Sequence, residues 1–189
     1  MTIDDAFTSF PSLSTKRLLL QQIMPEDAEA LFAIRSDEET MKYLGQELYE
    51  SLAETITVIK LMEERYVHKQ SLRWCIKLKG DDKLIGTCTL FHFDEEYHHA
   101  EIGYELNRAF WNQGLMTEAM SAILAYGFTD LDLHRIEASI DLANEASKKL
   151  LLKLGFTYEG NLRQRYAFRG RFGDQHFFGL LQDEWLRSV

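Results

Sequence analysis

"AEIGYELNRAFWNQGLMTEAMSAILAYGF", Ala100 to Phe128, decides how this chain folds. Its first part alternates. Ala100, Ile102, Tyr104 and Leu106 fall on one face of an extended segment, and Glu101, Gly103 and Glu105 on the other. Its last part has helical spacing: Met116, Ala119, Met120, Ile123, Leu124 and Gly127 share an apolar face. Between the two lies a polar corner containing one glycine, Gly114. The first N–H groups of a helix have no partner within it, and the helix dipole adds partial positive charge at that end. A strand that turns into a helix at Gly114 therefore makes either a plain reversal or an anion site, with phosphate the commonest occupant. Thr117 adds a hydroxyl to the first turn. The corner is not a Walker loop, which needs Gly-Lys-Ser/Thr, nor a dinucleotide fingerprint, which needs two more glycines.

Working outward, "HRIEASIDL" reads as the next strand. Strand, loop, helix and strand in that order form a crossover unit, so its two strands should be parallel. "NEASKKLLLKLGF" follows as a helix, with Asn144 as N-cap and Gly155 as its stop. The tail predicts two strands joined around "RGRFG". Upstream, "LRWCIKLKGDDKLIGTCTLFHFD" predicts a hairpin turning at "KGDDK". "TKRLLLQQI" predicts a strand with Leu18 and Leu20 on one face. "MPEDAEALFAIRSDEET" predicts a helix with Pro25 in its first turn. "YESLAETITVIKLMEERYVHK" predicts another, opened by a capping box of Ser51 and Glu54, with Leu52, Ile56, Ile59 and Met62 or Glu63 following at helical spacing. The order is β-α-α-β-β-β-α-β-α-β-β: an α/β chain with a mixed sheet, residues 15–189 forming one domain behind a loosely attached arm of residues 1–14.

The bulk properties agree with one buried core. The chain has 189 residues, 46% hydrophobic and 27% charged. No apolar run is long enough to span a bilayer, and the acidic start does not resemble a secretion signal, so a cytoplasmic protein is expected. The formal net charge of -9 disfavours binding to a nucleic-acid backbone and favours cationic partners such as amines. Cys75 and Cys88 lack metal-ligand spacing and read as buried thiols. "YHHAE" reads as a strand cap rather than a metal site, so no metal is expected.

The 100–128 run, with "HRIEASIDLANEASKKLLLKLGF", the final "GLLQDEW" and the opening "TKRLLLQQIMPEDAEAL", resembles the GNAT superfamily of acetyl-CoA-dependent N-acetyltransferases. Within it, the chain resembles the RimJ/RimL-like branch of ribosomal-protein N-terminal acetyltransferases. The resemblance runs from about Thr15 to Trp185. It implies a GNAT fold: a central mixed, mostly antiparallel sheet with one parallel, splayed strand pair and helices on both faces. It implies that backbone amides of the corner, Trp111, Asn112, Gln113, Gly114, Leu115, Met116 and Thr117, hold the pyrophosphate of coenzyme A. Leu106, Asn144 and Ser147 complete the implied cofactor contacts. The family's usual corner has Arg or Gln, two residues, Gly, any residue, then Gly or Ala. Trp111, Gly114 and Met116 stand at those points, so Met116 departs from the pattern, and its place on the apolar face predicts that it packs inward.

Acetyl transfer to an amine makes physical demands. The amine must lose a proton, the developing oxyanion needs a donor, and the leaving thiolate needs a proton or an equivalent contact. Glu101 is the expected base, with Glu105 behind it on the same face. The resemblance assigns the sulfur to Ser147, because Leu151 stands where many GNAT enzymes carry a tyrosine. Arg108, Arg135, Lys148 and Lys149 lie near the segments expected at the outer phosphates. The expected acceptor is a cationic amine, first a protein or peptide N-terminus and alternatively a small amine such as an antibiotic, polyamine or amino acid. A non-catalytic acyl-CoA-binding module is the reading from another class. The tail hairpin offers strand surface for a homodimer.

Overall fold

The computed structural model describes residues 3–188. The chain opens with β1 (Leu13–Ser14) and β2 (Leu18–Gln22). Helices α1 (Ala28–Arg35), α2 (Glu38–Met41) and α3 (Leu52–Val67) follow. Then come β3 (Ser71–Leu78), β4 (Leu84–Asp94) and β5 (His99–Leu106), the crossover helix α4 (Leu115–Ala125), and β6 (Arg135–Ile140). Helix α5 (Glu145–Lys153), the hairpin β7 (Thr157–Phe168) and β8 (Arg171–Leu181), and α6 (Gln182–Ser188) close the chain. Among the described residues eight strands form one sheet in the order β1-β2-β3-β4-β5-β6-β8-β7. Among the described residues only β5 and β6 pair in parallel, as the crossover reading requires. This is the mixed GNAT-type sheet that the resemblance implied.

The parallel ladder is short. It runs from His99↔Arg135 to Glu101↔Glu137 and stops. Beyond it, β5 stays with β4 as far as Leu106, while β6 stays with β8 as far as Ile140. The two strands diverge there, and the V between them positions the site.

Helices cover both faces. Helix α4 lays Leu115, Met116, Ala119, Met120, Ile123 and Leu124 onto one face, over Leu20, Trp74, Cys88 and Leu90. Helices α1 and α3 cover the other, with Leu31, Ile34, Ile59 and Met62 over Cys75 and Leu84. Successive strand residues point to opposite faces, so the adjacent register pairs Trp74↔Cys88 and Cys75↔Thr87 send the two thiols to different cores. Both are free, and burial pushes the Cys88 thiol up to about 12. Among the described residues no cluster of His, Cys, Asp and Glu could hold a metal ion. No described helix is long and apolar enough to cross a membrane.

Four expectations need correction. The described part of the 1–14 segment is not loose: Phe7 and Phe10 pack on Tyr66, and the Trp74 indole donates to Pro11 O at 2.6 Å. An aromatic segment beside an exposed sheet face buries itself. The helix expected from Met24 to Thr40 is broken into a 3-10 turn, α1 and α2, because Asp37 caps a new start by accepting from Thr40 N–H at 2.9 Å. The capping box of α3 is half made. Ser51 Oγ accepts from Glu54 N–H, but the Glu54 carboxylate accepts from Glu50 N–H instead of closing on Ser51. Of the α3 residues at helical spacing, Ile59 and Met62 are buried while Leu52 and Ile56 stay exposed. The final α6 was not read, since its turn begins directly on the last residue of β8.

Candidate active site

The strand that ends at Leu106 and the helix that starts at Leu115 leave eight residues to reverse the chain. Asn112 (φ 59°) and Gly114 (φ 70°) make the reversal in the left-handed region, which glycine adopts at least cost. Gly114 is the N-cap of α4 and has no side chain to cap with. The first helical bond is Glu118 N–H to Gly114 O at 3.1 Å, so the amides of Leu115, Met116 and Thr117 precede the ladder. Trp111 Nε1 donates to Leu106 O at 2.8 Å and ties the corner back to its strand. Met116 is buried on the apolar face, as its spacing predicted, which leaves its backbone at the corner.

A cavity of about 600 Å³ opens between this corner and the start of α5. Leu106, Trp111, Asn112, Gly114, Leu115, Met116, Thr117, Asn144 and Ser147 all line it. Gln113 does not. Its side-chain amide turns back to Ala109 O at 3.2 Å, and its carbonyl accepts from Arg17 at 2.9 Å. Of the four cations named from sequence, Lys149 alone lines the cavity, joined by Lys153. Arg135 is bound by Glu137 and Glu159, Lys148 lies near Glu145, and Arg108 lies near Asp37. Sequence reading missed Arg17. It holds the corner from the bend just before β2 through Gln113 O and through Glu118, which also accepts from Thr15 Oγ at 2.6 Å. Nothing local in the sequence joins residues 17 and 118.

Asn144 Oδ1 accepts from Ser147 N–H at 3.1 Å, the predicted N-cap. Ser147 Oγ lies 2.6 Å from Tyr104 Oη. Burial drives the Tyr104 phenol well above its ordinary value, and the Ser147 hydrogen bond offsets only part of that. Tyr104 therefore stays protonated and can donate through Ser147. Leu151 is fully buried in the core.

A second cavity, of about 680 Å³, lies across the sheet. Leu44, Tyr104 and Glu105 line both cavities, so the two meet at the end of β5. The expected carboxylates differ sharply here. Glu105 is buried, accepts from Arg35 at 2.9–3.1 Å and from Thr87 Oγ at 2.9 Å. Burial alone would raise its pKa, but the charges of Arg35 and Arg73 and these hydrogen bonds hold it below the ordinary glutamate value. A carboxylate bound this way is a poor base. Glu101 lines neither cavity. The Phe91 ring lies against Gly103, within 3.3 Å of where a Cβ would stand, and so separates Glu101 from Glu105 on that face. Glu101 instead bonds Nδ1 of His92 at 2.9 Å. His92 (φ 51°) sits in the irregularity of β4 between Phe91 and Asp94 and lines the second cavity.

The acetyltransferase (GNAT) domain family matches residues 17–157. The chain belongs to the GNAT acetyltransferase family. It is 39% identical over 173 residues to the uncharacterized N-acetyltransferase YoaA of Bacillus subtilis, covering 92% of this chain and 98% of that one. It is 24% identical to the spermidine N(1)-acetyltransferase of Escherichia coli, covering 92% of this chain and 90% of that one. The solved structure of a GNAT-family acetyltransferase from Bacillus anthracis superposes with a TM-score of 0.82 at 26% identity, covering 92% of this chain and all of that one.

This acetyltransferase takes its acetyl group from acetyl-CoA. The corner fits that molecule. Three amides of the first turn precede the helical ladder, and a Cβ at Gly114 would meet only Arg17 Nη2, at 3.7 Å, so the backbone is open to close approach.

Proposed function

We propose that this GNAT enzyme acetylates a primary amine that enters through the second cavity, with Tyr104 and Ser147 serving the leaving sulfur and Glu101 acting on the amine through His92. The observation that carries the reading is the Tyr104–Ser147 contact at 2.6 Å, at the place where the two cavities meet. Acetyl-CoA supplies the acetyl group as a thioester and departs as the thiol. The amides of Leu115, Met116 and Thr117 would hold its pyrophosphate, Lys149 and Lys153 stand along the same cavity, and the V between β5 and β6 leaves room for the pantetheine arm. Ser147 passes a proton toward the sulfur and is resupplied or polarised by Tyr104, which burial keeps protonated. His92 accepts the amine's proton at Nε2, which has no hydrogen bond to a described residue, while Glu101 at Nδ1 fixes the ring.

The RimJ/RimL-like sequence pattern supports the α-amine of a protein or peptide N-terminus as acceptor. The size of the second cavity supports a small amine as the second reading. The test is a screen of peptides and small amines, read by free thiol release from acetyl-CoA. Transfer to at least one amine is expected, with kcat lowered about 100-fold in Glu101→Gln or His92→Ala. An enzyme that binds coenzyme A yet acetylates no amine is the non-catalytic module instead.

A further inference from the structure

The charge inside the second cavity runs against the net charge of the chain. Its lining gathers Arg35, Arg65, Lys69 and Arg73, with Glu105 as its single carboxylate. Arg35 is engaged by Glu105, and Lys69 lies 2.5 Å from Asp4. Two cations remain. Arg65, exposed in the last turn of α3, forms no ion pair with a described residue. Arg73 gives Nη1–H to Thr87 at 3.1 Å and comes no closer to Glu105 than 3.9 Å. Its Nε is buried and has no acceptor. Thr89 is the direct cross-strand partner of Arg73, so both point to the same face. Thr89 is 3% exposed, lines the same cavity, and its hydroxyl has no hydrogen-bond partner either.

A buried guanidinium N–H and a buried hydroxyl, side by side and both unanswered, are rare in a folded protein and mark a place where something else answers them. Two N–H or O–H donors flanked by positive charge match a carboxylate or a phosphate. We propose that the second cavity takes a small amine that also bears an oxyanion group, held by Arg73, Thr89 and Arg65. The proposal rests on the acetyltransferase reading and narrows its acceptor to acidic small amines such as amino acids or amino phosphates. It sets polyamines aside, because a polycation would meet Arg65 and Arg73 while the one carboxylate of the lining is bound by Arg35. The same cations help the chemistry, since positive charge beside an ammonium favours its neutral, nucleophilic form.

The experiment uses the full-length protein with acetyl-CoA and matched acceptors: serine against ethanolamine, O-phosphoethanolamine against ethanolamine, phenylalanine against phenethylamine, with spermidine and a neutral peptide amide alongside. In at least one pair the oxyanion-bearing member should have a kcat/KM about tenfold or more above its partner. The carboxylate and phosphate arms then show which group the pocket reads. Arg73→Gln and Arg65→Gln should each reduce that ratio severalfold or more, leaving KM for acetyl-CoA unchanged. Arg65 is on the surface, so its variant remains informative if Arg73→Gln fails to fold. Preference for spermidine, for the neutral amines or for the peptide amide overturns the proposal, as does a ratio that Arg65→Gln and a folded Arg73→Gln both leave intact. Thiol release with neutral amines alone sinks the acceptor class but keeps the enzyme. Failure of every amine to release thiol from acetyl-CoA sinks the acetyltransferase reading and this proposal with it.

Discussion

At the scale of single residues, Glu105 and Arg35 hold the end of β5 to α1 with both side chains almost fully buried. Removing one partner leaves the other charge without compensation in a low-dielectric site. Arg35→Met or Glu105→Gln should cost about 3–5 kcal/mol, read from urea unfolding, whereas a joint apolar replacement should cost far less. The pH dependence follows from the sign of the shift. Folding lowers the Glu105 pKa, so the pair contributes fully above the ordinary glutamate value of about 4.3 and its contribution is lost as pH falls through the depressed folded value. Acid unfolding should therefore shift to higher pH in Arg35→Met, and an unchanged acid midpoint would contradict the pair's role. Tyr104→Phe and Ser147→Ala should each lower kcat about tenfold to a hundredfold with little change in acetyl-CoA affinity, and the double variant should lose little more than either single one, because the two act as one relay. None of these partnerships was legible in sequence. Period two put Glu101 and Glu105 on one face and could not say that an arginine 70 positions upstream would engage the second of them.

The elements carry their own predictions. Gly114 begins α4 in the left-handed region with room for a Cβ, so the cost of Gly114→Ala is conformational rather than steric: about 1–2 kcal/mol of stability, together with weaker coenzyme A binding as the corner relaxes. Calorimetry with coenzyme A separates the two effects. Asn144→Ala removes the cap of α5 and should cost about 1 kcal/mol in thermal unfolding. These features were readable because they are local. An N-cap, a C-terminal glycine and a strand-to-helix corner are written within a few residues of one another. Where the reading failed at this scale, a second local choice was equally available: Asp37 opened a new turn inside what the periodicity presented as one helix, and Glu54 found Glu50 N–H instead of its expected partner.

Across the whole molecule, the first of the described residues complete the core. Phe7, Phe10 and Pro11 cover Tyr66 and Trp74, so a chain lacking residues 1–14 should lose several kcal/mol, on the order of the 3–5 kcal/mol for deleting one buried aromatic side chain, and its tryptophan emission should shift to the red. The sequence by itself determined the order of elements, the parallel crossover, the uncapped corner at Gly114 and the Asn144 cap, because each depends on spacing along a short stretch of chain. Tertiary structure alone decided where along β5 and β6 the splayed pair parts, that Tyr104 meets Ser147 across 43 positions, and that an acidic protein lines its second cavity with arginines. Net charge sums over the whole surface, while a pocket is made by the few side chains that strand register and helix packing bring together from distant parts of the chain.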